Sequence, residues 1–401
     1  MRDPRGVAFL SYLRKLLDVF TTFLRLGSTT FGGPVAHLAA FRRDFVERRR
    51  WLDDPTFAAC IALTQLLPGP ASSQTGMLLG WLRAGWPGAF VAWIGFTLPS
   101  AALMTFFALA LPHANVNTGW LHGLLLAAVA IVACALSTLR ATLAPDLARL
   151  LLAVAVLALA LLAPYPVVTP LAIAGAALAG MLLGDARTTS PAPLDLGVSR
   201  RSGIIALALL ALTFVVLAMW ASTGNPLAIL CNTLFRVGAL VFGGGHVVLP
   251  LLQTQVSSAG IVDNRTVLEG YALAQAMPGP LFTLSSYVGA SAWGSTLGLR
   301  GAILATVAIF APSFFLLTGV APFYRQLAAN ARFRAGLAGA NAGVVGLLAA
   351  AFVNPIFANS VRTPLDFTAA LAAFAAMRYA KVPAWVMVIL AALFGYVVEH
   401  R

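Results

Sequence analysis

The sequence repeats itself at an offset of about 211 residues, and this repeat constrains the fold more than any other feature. The stretch FLRLGSTTFGGP at 23–34 matches LFRVGALVFGGG at 234–245. Further along, TQLLPGP at 64–70 matches AQAMPGP at 274–280. Matches at a fixed spacing and in the same order indicate a duplicated structural unit rather than chance.

A third match follows at nearly the same spacing and completes the repeat. The dipeptide GA at 88–89 and the dipeptide PS at 99–100 return at 301–302 and 312–313. Three matches in one order indicate two homologous halves. We divide the chain into an N-terminal repeat, a linker with one extra transmembrane helix, and a C-terminal inverted repeat, with boundaries at 1–183, 184–226 and 227–401.

The composition places both halves in a membrane. Of 401 residues, 60% are hydrophobic and 10% are charged, and the mean hydropathy is +0.88. A soluble domain carries about 25% charged residues, so a soluble enzyme, a disordered chain and a secreted disulfide scaffold are excluded. Several apolar stretches reach the roughly 20 residues that a helix needs to cross a bilayer. The predicted fold is an all-α polytopic membrane protein.

The order of apolar segments predicts how the halves are related. Each half has two segments interrupted by glycine and proline, followed by four uninterrupted ones, and a single extra segment lies at 203–221. Six segments bring the chain back to its starting side, and one extra crossing then turns the second half upside down. The sequence therefore predicts an inverted-topology repeat. The interrupted segments are 16–41, 57–82, 227–250 and 269–294.

The basic residues favour re-entrant helical hairpins for the interrupted segments. With a cytoplasmic N-terminus and four hairpins, 20 of the 26 Lys and Arg residues fall on the cytoplasmic side, as the positive-inside rule requires. The contrast is greatest between RRDFVERRR at 42–50 and its counterpart region 251–268, which has one basic residue. If the interrupted segments instead crossed fully, the arginines of 42–50 would lie opposite the N-terminus. Both topologies stay open at this point.

The interruptions themselves are candidate binding elements. Glycine and proline break helices, and a broken backbone in hydrocarbon needs protein or a water-filled cavity around it. Half-helices that start at such breaks point free amides towards the membrane centre, which favours an anion. The alternative is that the breaks only help the helices to pack. The candidate substrate-binding residues are Gly32, Gly33, Pro68, Gly69, Gly243, Gly244, Pro278 and Gly279.

Arg25 and Arg236 occupy equivalent positions within apolar segments. A guanidinium at the centre of a membrane helix costs about 2.5–3.5 kcal/mol on insertion scales, which makes it a functional candidate. Its planar set of donors suits an oxyanion. The alternative is that both side chains reach out to the lipid headgroups.

Several uncharged polar side chains accompany the breaks. Gln65 and Gln275 occupy equivalent positions and are predicted to orient the substrate, and Ser72 and Ser285 are predicted to contact it. Hydroxyls near a break also cap helix starts, so that use stays open for the serines. A proton-coupling role for His37 or His246 is a minor alternative.

The apolar segments that are predicted to enter the membrane lack acidic residues in their interiors. They also lack the motifs of metalloproteases, P-loop enzymes and serine hydrolases. A cation pathway normally needs carboxylates within the membrane. The substrate is therefore predicted to be an anion, and we expect no catalytic residue, no metal and no cofactor.

The duplicated RxG-FGG and PGP segments, followed by GA and PS, resemble the chromate ion transporter family in its long-chain, two-domain form. The resemblance extends from about residue 20 to residue 355. It implies two homologous domains of antiparallel topology, and efflux of chromate without its reduction. Sulfate, a tetrahedral dianion of similar size, is the chemical mimic.

The residues and the resemblance together predict a multi-pass oxyanion transporter of the bacterial inner membrane that exports chromate. One alternative is import or exchange of sulfate or another oxyanion, and an alternative of another class is a membrane-embedded enzyme acting on lipid phosphates. The expected partners are the anion and membrane lipids, with no nucleic acid. A coupling proton and a homodimer stay open.

Overall fold

The regular structure of the described residues is helical throughout. The computed structural model describes residues 4–31, 33–110, 119–163, 168–183, 194, 196–241 and 248–399. A π-helical segment at Arg42–Arg48 extends the second helix. The helices of the first half are α1 (Pro4–Thr29), α2 (Gly33–Phe41), α3 (Asp54–Leu66), α4 (Ala71–Ala110), α5 (Gly119–Leu143), α6 (Leu147–Leu162) and α7 (Val168–Leu183).

The second half repeats this order after one extra helix, α8 (Arg200–Ala221). Five helical stretches of the described chain are long and apolar enough to cross a membrane. The second half contains α9 (Pro226–Leu240), α10 (Val248–Ser258), α11 (Asn264–Ala276), α12 (Leu284–Ser295), α13 (Gly298–Val320), α14 (Tyr324–Ala329), α15 (Ala331–Ala351), α16 (Ala358–Ser360), α17 (Pro364–Arg378) and α18 (Ala384–Glu399).

The first interrupted segment folds into a helical hairpin. α1 runs antiparallel to α2 and its π-helical extension. The contacts that show this pair residues at roughly equal distances before and after the glycine break at 32–33. Phe23 stacks on Phe45 with ring centroids 5.1 Å apart, and Arg25 forms an ion pair with Asp44. At the open end, Arg49 lies 2.6 Å from the carboxylate of Asp18. The hairpin therefore extends from about Asp18 to Arg49, beyond the predicted end at residue 41.

The second interrupted segment forms another hairpin from α3 and the start of α4. The hydroxyls of Thr64 and Thr75 lie 3.0 Å apart near its tip. At its open end, the guanidinium of Arg83 lies over the ring of Trp51. Helix α4 then breaks at Gly85, whose φ of +69° ends the hairpin.

The equivalent hairpin of the second half, α11 with α12, closes in a different way. The N–H of Trp293 donates to the carbonyl of Ile261 over 3.0 Å, at the repeat positions of Arg83 and Trp51. The open end of this hairpin is thus held by a main-chain hydrogen bond, whereas the open end of the first half's hairpin is held by the contact of Arg83 with Trp51.

One acid shows that the hairpins return to the side on which they begin. Asp18 contacts Arg49 at 2.6 Å and Arg83 at 3.8 Å, so three segment ends share one carboxylate. Full crossing would separate Arg49 from Arg83 by the thickness of the apolar layer, about 30 Å. The structure therefore has the predicted hairpins rather than full crossings.

The hairpins of the two halves start from opposite ends of the molecule. α13 begins five residues after Trp293, at the base of the second half's hairpins. Near the other end of α13, Phe314 packs against Trp86, 5.8 Å away between ring centroids, just beyond the base of the first half's hairpins. With 23 residues, α13 is about 34 Å long. The contact at Phe314 lies 16 residues, or about 24 Å, from the start of α13, so most of the thickness of the apolar layer separates the two bases.

Candidate functional site

The tips of the hairpins meet between the two bases. The N–H of Gly69 donates to the carbonyl of Val241 over 2.6 Å, and the N–H of Gly279 donates to the carbonyl of Thr30 over 3.1 Å. Gly69 and Gly279 are repeat partners, as are Thr30 and Val241, so the contact is reciprocal. Within the described ranges, these are the two main-chain hydrogen bonds that join the halves outside helices.

The backbone conformation at the tips explains the glycine between two prolines. Gly69 has a φ of +115° and Gly279 a φ of +94°, values that side-chain-bearing residues rarely adopt. Space is also limiting, because a Cβ on Gly69 would lie 2.5 Å from Gln74 Nε2. A Cβ on Gly279 would lie 2.8 Å from Ser100 Oγ. The predicted breaks at Pro68 and Pro278 are thus the tips of closely packed hairpins.

A buried amide links the first tip to the second half. Gln74 is fully buried, and its Nε2 donates to the carbonyl of Pro68 at 2.7 Å and to Ser313 Oγ at 3.2 Å. Ser100, the repeat partner of Ser313, lies against the second tip at Gly279. The sequence repeat marked both serines through the PS dipeptide but gave them no role, and Gln74 was not among the predicted site residues.

Buried hydroxyls follow both PGP motifs, among them Ser72 and Ser285, for which contact with the substrate stays a prediction. The ring Nδ1 of His37 lies 3.2 Å from Ser72 Oγ. Within the described residues, His37 Nε2, Ser73 Oγ and Ser285 Oγ have no hydrogen-bond partner. Each unpartnered buried polar group costs about 1–3 kcal/mol, and such groups commonly mark a place that water or a polar ligand fills. The tips are therefore a polar region within an apolar molecule.

Helix starts at the tips add to this polarity. α2 begins at Gly33 and α4 begins at Ala71, each directly after a break. The first amides of a helix have no partner within the helix, and the aligned peptide dipoles make this end positive. The arrangement suits a negatively charged group. Gly32, Gly243, Gly244 and His246 lie outside the described residues.

The two predicted arginines differ in their surroundings. The guanidinium of Arg25 pairs with Asp44, whose side chain is only 7% exposed, and Arg48 lies 3.6 Å from the same carboxylate. Asp44 lies beyond the predicted end of this segment at residue 41, but the hairpin register buries it beside Arg25. Arg236 is exposed and has no ion pair among the described residues. The two arginines differ because the second half has Gln255, an uncharged residue, at the repeat position of Asp44.

The predicted glutamines also differ. Gln65 is exposed near the end of α3, whereas Gln275 is 7% exposed and its side chain hydrogen-bonds Tyr271 on the same helix. The structure places both within four residues of a tip but in unequal environments.

Comparison of the sequence with known protein families finds one family that matches both halves. The family described as Chromate transporter matches residues 17–181 and again residues 228–396. The two matches begin 211 residues apart, which is the offset of the internal repeat. No solved structure matches this chain.

Individual relatives cover nearly the whole chain. The chromate transport protein of Pseudomonas aeruginosa is 30% identical over 90% of this chain and 85% of its own length. The chromate transport protein of Cupriavidus metallidurans is 28% identical over 94% of this chain and 91% of its own. An uncharacterized transporter of Methanocaldococcus jannaschii is 26% identical over 95% and 94%.

Proposed function

The chain belongs to the chromate transporter family, and we propose that it exports chromate from the cytoplasm across a bacterial inner membrane. The observation that carries the proposal is the reciprocal meeting of hairpin tips, in which each PGP glycine donates to a carbonyl of the other half. Transporters built from repeats commonly bind their substrates near the membrane centre, at broken helices between the repeats.

The tips supply what a tetrahedral dianion needs. Helix starts at Gly33 and Ala71 offer main-chain amides, Ser72 directly follows Ala71, and Ser285 is buried six residues after Gly279. Neutral donors held by the fold can replace the water around an anion without adding a fixed positive charge that would retain it. Arg236, whose charge is not compensated by an acid in the described chain, attracts the dianion from the surface of α9. Arg25 instead stabilises the first hairpin through Asp44.

Alternate opening follows from the way the tips are held. Each half contributes its own hairpins from its own end, and among the described residues the hydrogen bonds that join the tips of the two halves are two main-chain bonds and the Gln74 contact with Ser313. Net contributions of about 0.5–1.5 kcal/mol for each hydrogen bond allow the tips to separate during a transport cycle. Separation of one reciprocal pair at a time would expose the dianion to one side of the membrane and then to the other.

We place the base of the first half's hairpins in the cytoplasm. Arg49 and Arg83 lie there together around Asp18, close to the remaining arginines of 42–50. The equivalent base in the second half has Gly260 and Trp293. An uneven distribution of basic residues between two equivalent ends is what the positive-inside rule produces for inverted repeats.

Uptake of labelled chromate into inverted membrane vesicles tests the function. Vesicles that contain the protein should accumulate chromate. Excess sulfate added outside the vesicles should reduce this uptake, and the size of the reduction measures the selectivity for chromate over sulfate. Vesicles that lack the protein are the control. If protein-containing vesicles accumulate sulfate but not chromate, the substrate is a different oxyanion. If they accumulate neither anion, the transport proposal is wrong.

A further inference from the structure

An apolar groove of about 580 Å³, which we call the α8 groove, lies at the end of the molecule that has the first half's hairpin bases. Three helices form its walls: α4 from the first half, α13 from the second, and α8, which lies outside the repeat. On α13 the lining extends from Thr318 to Val307, which is about 16 Å along the helix axis. The groove is therefore about as deep as one leaflet, which is half of an apolar layer of about 30 Å.

Aromatic rings form one wall of the α8 groove. Phe314 of α13 packs against Trp86, Phe90 and Trp93 of α4, with ring centroids 5.8, 6.0 and 5.7 Å away. Trp86, near the hairpin base, is 48% exposed, whereas Trp93 is buried, so the wall leads from the surface into the interior. Tryptophan is enriched at the level of the lipid headgroups. The groove thus opens at that level.

The start of α8 brings basic side chains to this opening. Gly203 packs closely on the turn after α13, because a Cβ there would lie 2.6 Å from Pro322 Cγ. Arg201 lies one helical turn before Ile205, a lining residue, and on the same face of α8. Arg200 and Arg201 are exposed and form no ion pair among the described residues. Two uncompensated positive charges therefore lie beside the opening.

The internal repeat supplies a second groove for comparison. At the 213-residue offset of the GA and PS dipeptides, every α4 and α13 residue that lines the α8 groove has a partner that lines a groove of about 510 Å³. Within the described chain, α4 and α13 alone form the walls of this outer groove. Leu299 and Ile303 replace Trp86 and Phe90, and one arginine, Arg300, follows Leu299. The aromatic wall, the third helix and the paired arginines thus distinguish the α8 groove.

We propose that the α8 groove binds one anionic phospholipid, with an acyl chain along the aromatic wall and the phosphate beside Arg200 and Arg201. The lining suits an acyl chain, because the described residues that form it include no acidic or basic side chain. The phosphate supplies the negative charge that the two guanidinium groups lack, and arginine donors suit its oxygens. Basic pockets between transmembrane helices on the cytoplasmic side bind such headgroups, and the proposed orientation puts this opening on that side.

A lipid in the α8 groove contacts both halves at once. α4 belongs to the first half and α13 to the second, and the contact of Trp86 with Phe314 joins them within the groove. A ligand that binds only the folded protein raises its unfolding temperature by mass action. The bound lipid therefore stabilises the packing of the two halves, whichever anion the protein transports.

Native mass spectrometry of the purified protein, titrated with phosphatidylglycerol or with phosphatidylcholine of the same acyl chains, tests the proposal. The wild type should bind one phosphatidylglycerol more tightly than phosphatidylcholine. Arg200→Gln/Arg201→Gln should bind phosphatidylglycerol about 30-fold more weakly, since each charge near a membrane surface contributes about fivefold. Arg140→Gln/Arg332→Gln removes the same charge from helices that do not line the groove, and it should match the wild type. Inorganic phosphate should not displace the lipid, because it has no acyl chain.

A tryptophan that fills the groove tests the position of the acyl chain. Ala311→Trp fills the α8 groove, and Ala101→Trp fills the outer groove as the matched control. Phosphatidylglycerol should raise the unfolding temperature of the wild type and of Ala101→Trp, but not that of Ala311→Trp. If Ala311→Trp does not fold, the arginine variants decide. Equal affinity of the wild type for the two lipids, or unchanged binding by Arg200→Gln/Arg201→Gln, would overturn the proposal while the transport function stands.

Discussion

Replacing Gly69 or Gly279 by alanine should separate the hairpin tips without changing any charge. Their φ values of +115° and +94° cost other residues about 1–3 kcal/mol. The added methyl group at Gly69 would also lie 2.5 Å from Gln74 Nε2, so the tip must shift and weaken its hydrogen bond to Val241, worth about 1 kcal/mol. Together, about 2–4 kcal/mol acts against the packed tips, which is about 30- to 1,000-fold in the equilibrium between packed and separated tips.

Initial rates of chromate transport against concentration, at matched membrane abundance, measure the effect. Both alanine variants should lose most of their transport, and purified protein should unfold at a lower temperature. Gly175→Ala is the matched control, because a methyl group there meets nothing within 4 Å and alanine favours the helix. Wild-type transport in both tip variants would refute the assignment of the tips as the site.

The remaining predictions concern the arginines and the topology. Arg236→Lys should transport chromate about tenfold less efficiently, because lysine loses the planar donors that suit an oxyanion. Arg25→Gln should mainly lower the unfolding temperature by leaving Asp44 unpaired and buried, and Asp44→Asn in the same chain should restore it in part. Equal kinetics for Arg236→Lys and the wild type would remove that arginine from the site. Cysteines placed in 42–50 should resist a membrane-impermeant thiol reagent in intact cells, whereas cysteines in 257–263 should react, and equal labelling of the two regions would contradict the inverted arrangement.

The breaks were predictable from the sequence, whereas some helix ends were not. Glycine and proline interrupt helices through their own backbone chemistry, so the PGP motifs predicted both tips without knowledge of their neighbours. The predicted segment 227–250 ended too early, because Gln253–Ser258 is polar and resembles a loop. In the structure this stretch continues α10 and lines a cavity. Hydropathy measures composition, and it cannot separate a polar loop from a helix beside a polar cavity.

Contacts between elements were the part that the sequence left open. The repeat suggested equal roles for Arg25 and Arg236, yet Arg25 has Asp44 opposite it and Arg236 has no such acid. That difference depends on the register of the hairpin, which the spacing of single residues does not reveal. The contact of Gln74 with Ser313 spans 239 positions, and only the packed halves show it.

The reciprocal tip contacts also set an order of events during biosynthesis. Gly69 leaves the ribosome 172 residues before Val241, the residue whose carbonyl accepts its hydrogen bond. At about 5–20 residues per second, this delay lasts roughly 10–35 s. For that time, the newly inserted N-terminal repeat has tips with unmatched amides in a low-dielectric medium. The nascent chain therefore has to shelter them, with trapped water or with the insertion machinery, until its second repeat emerges.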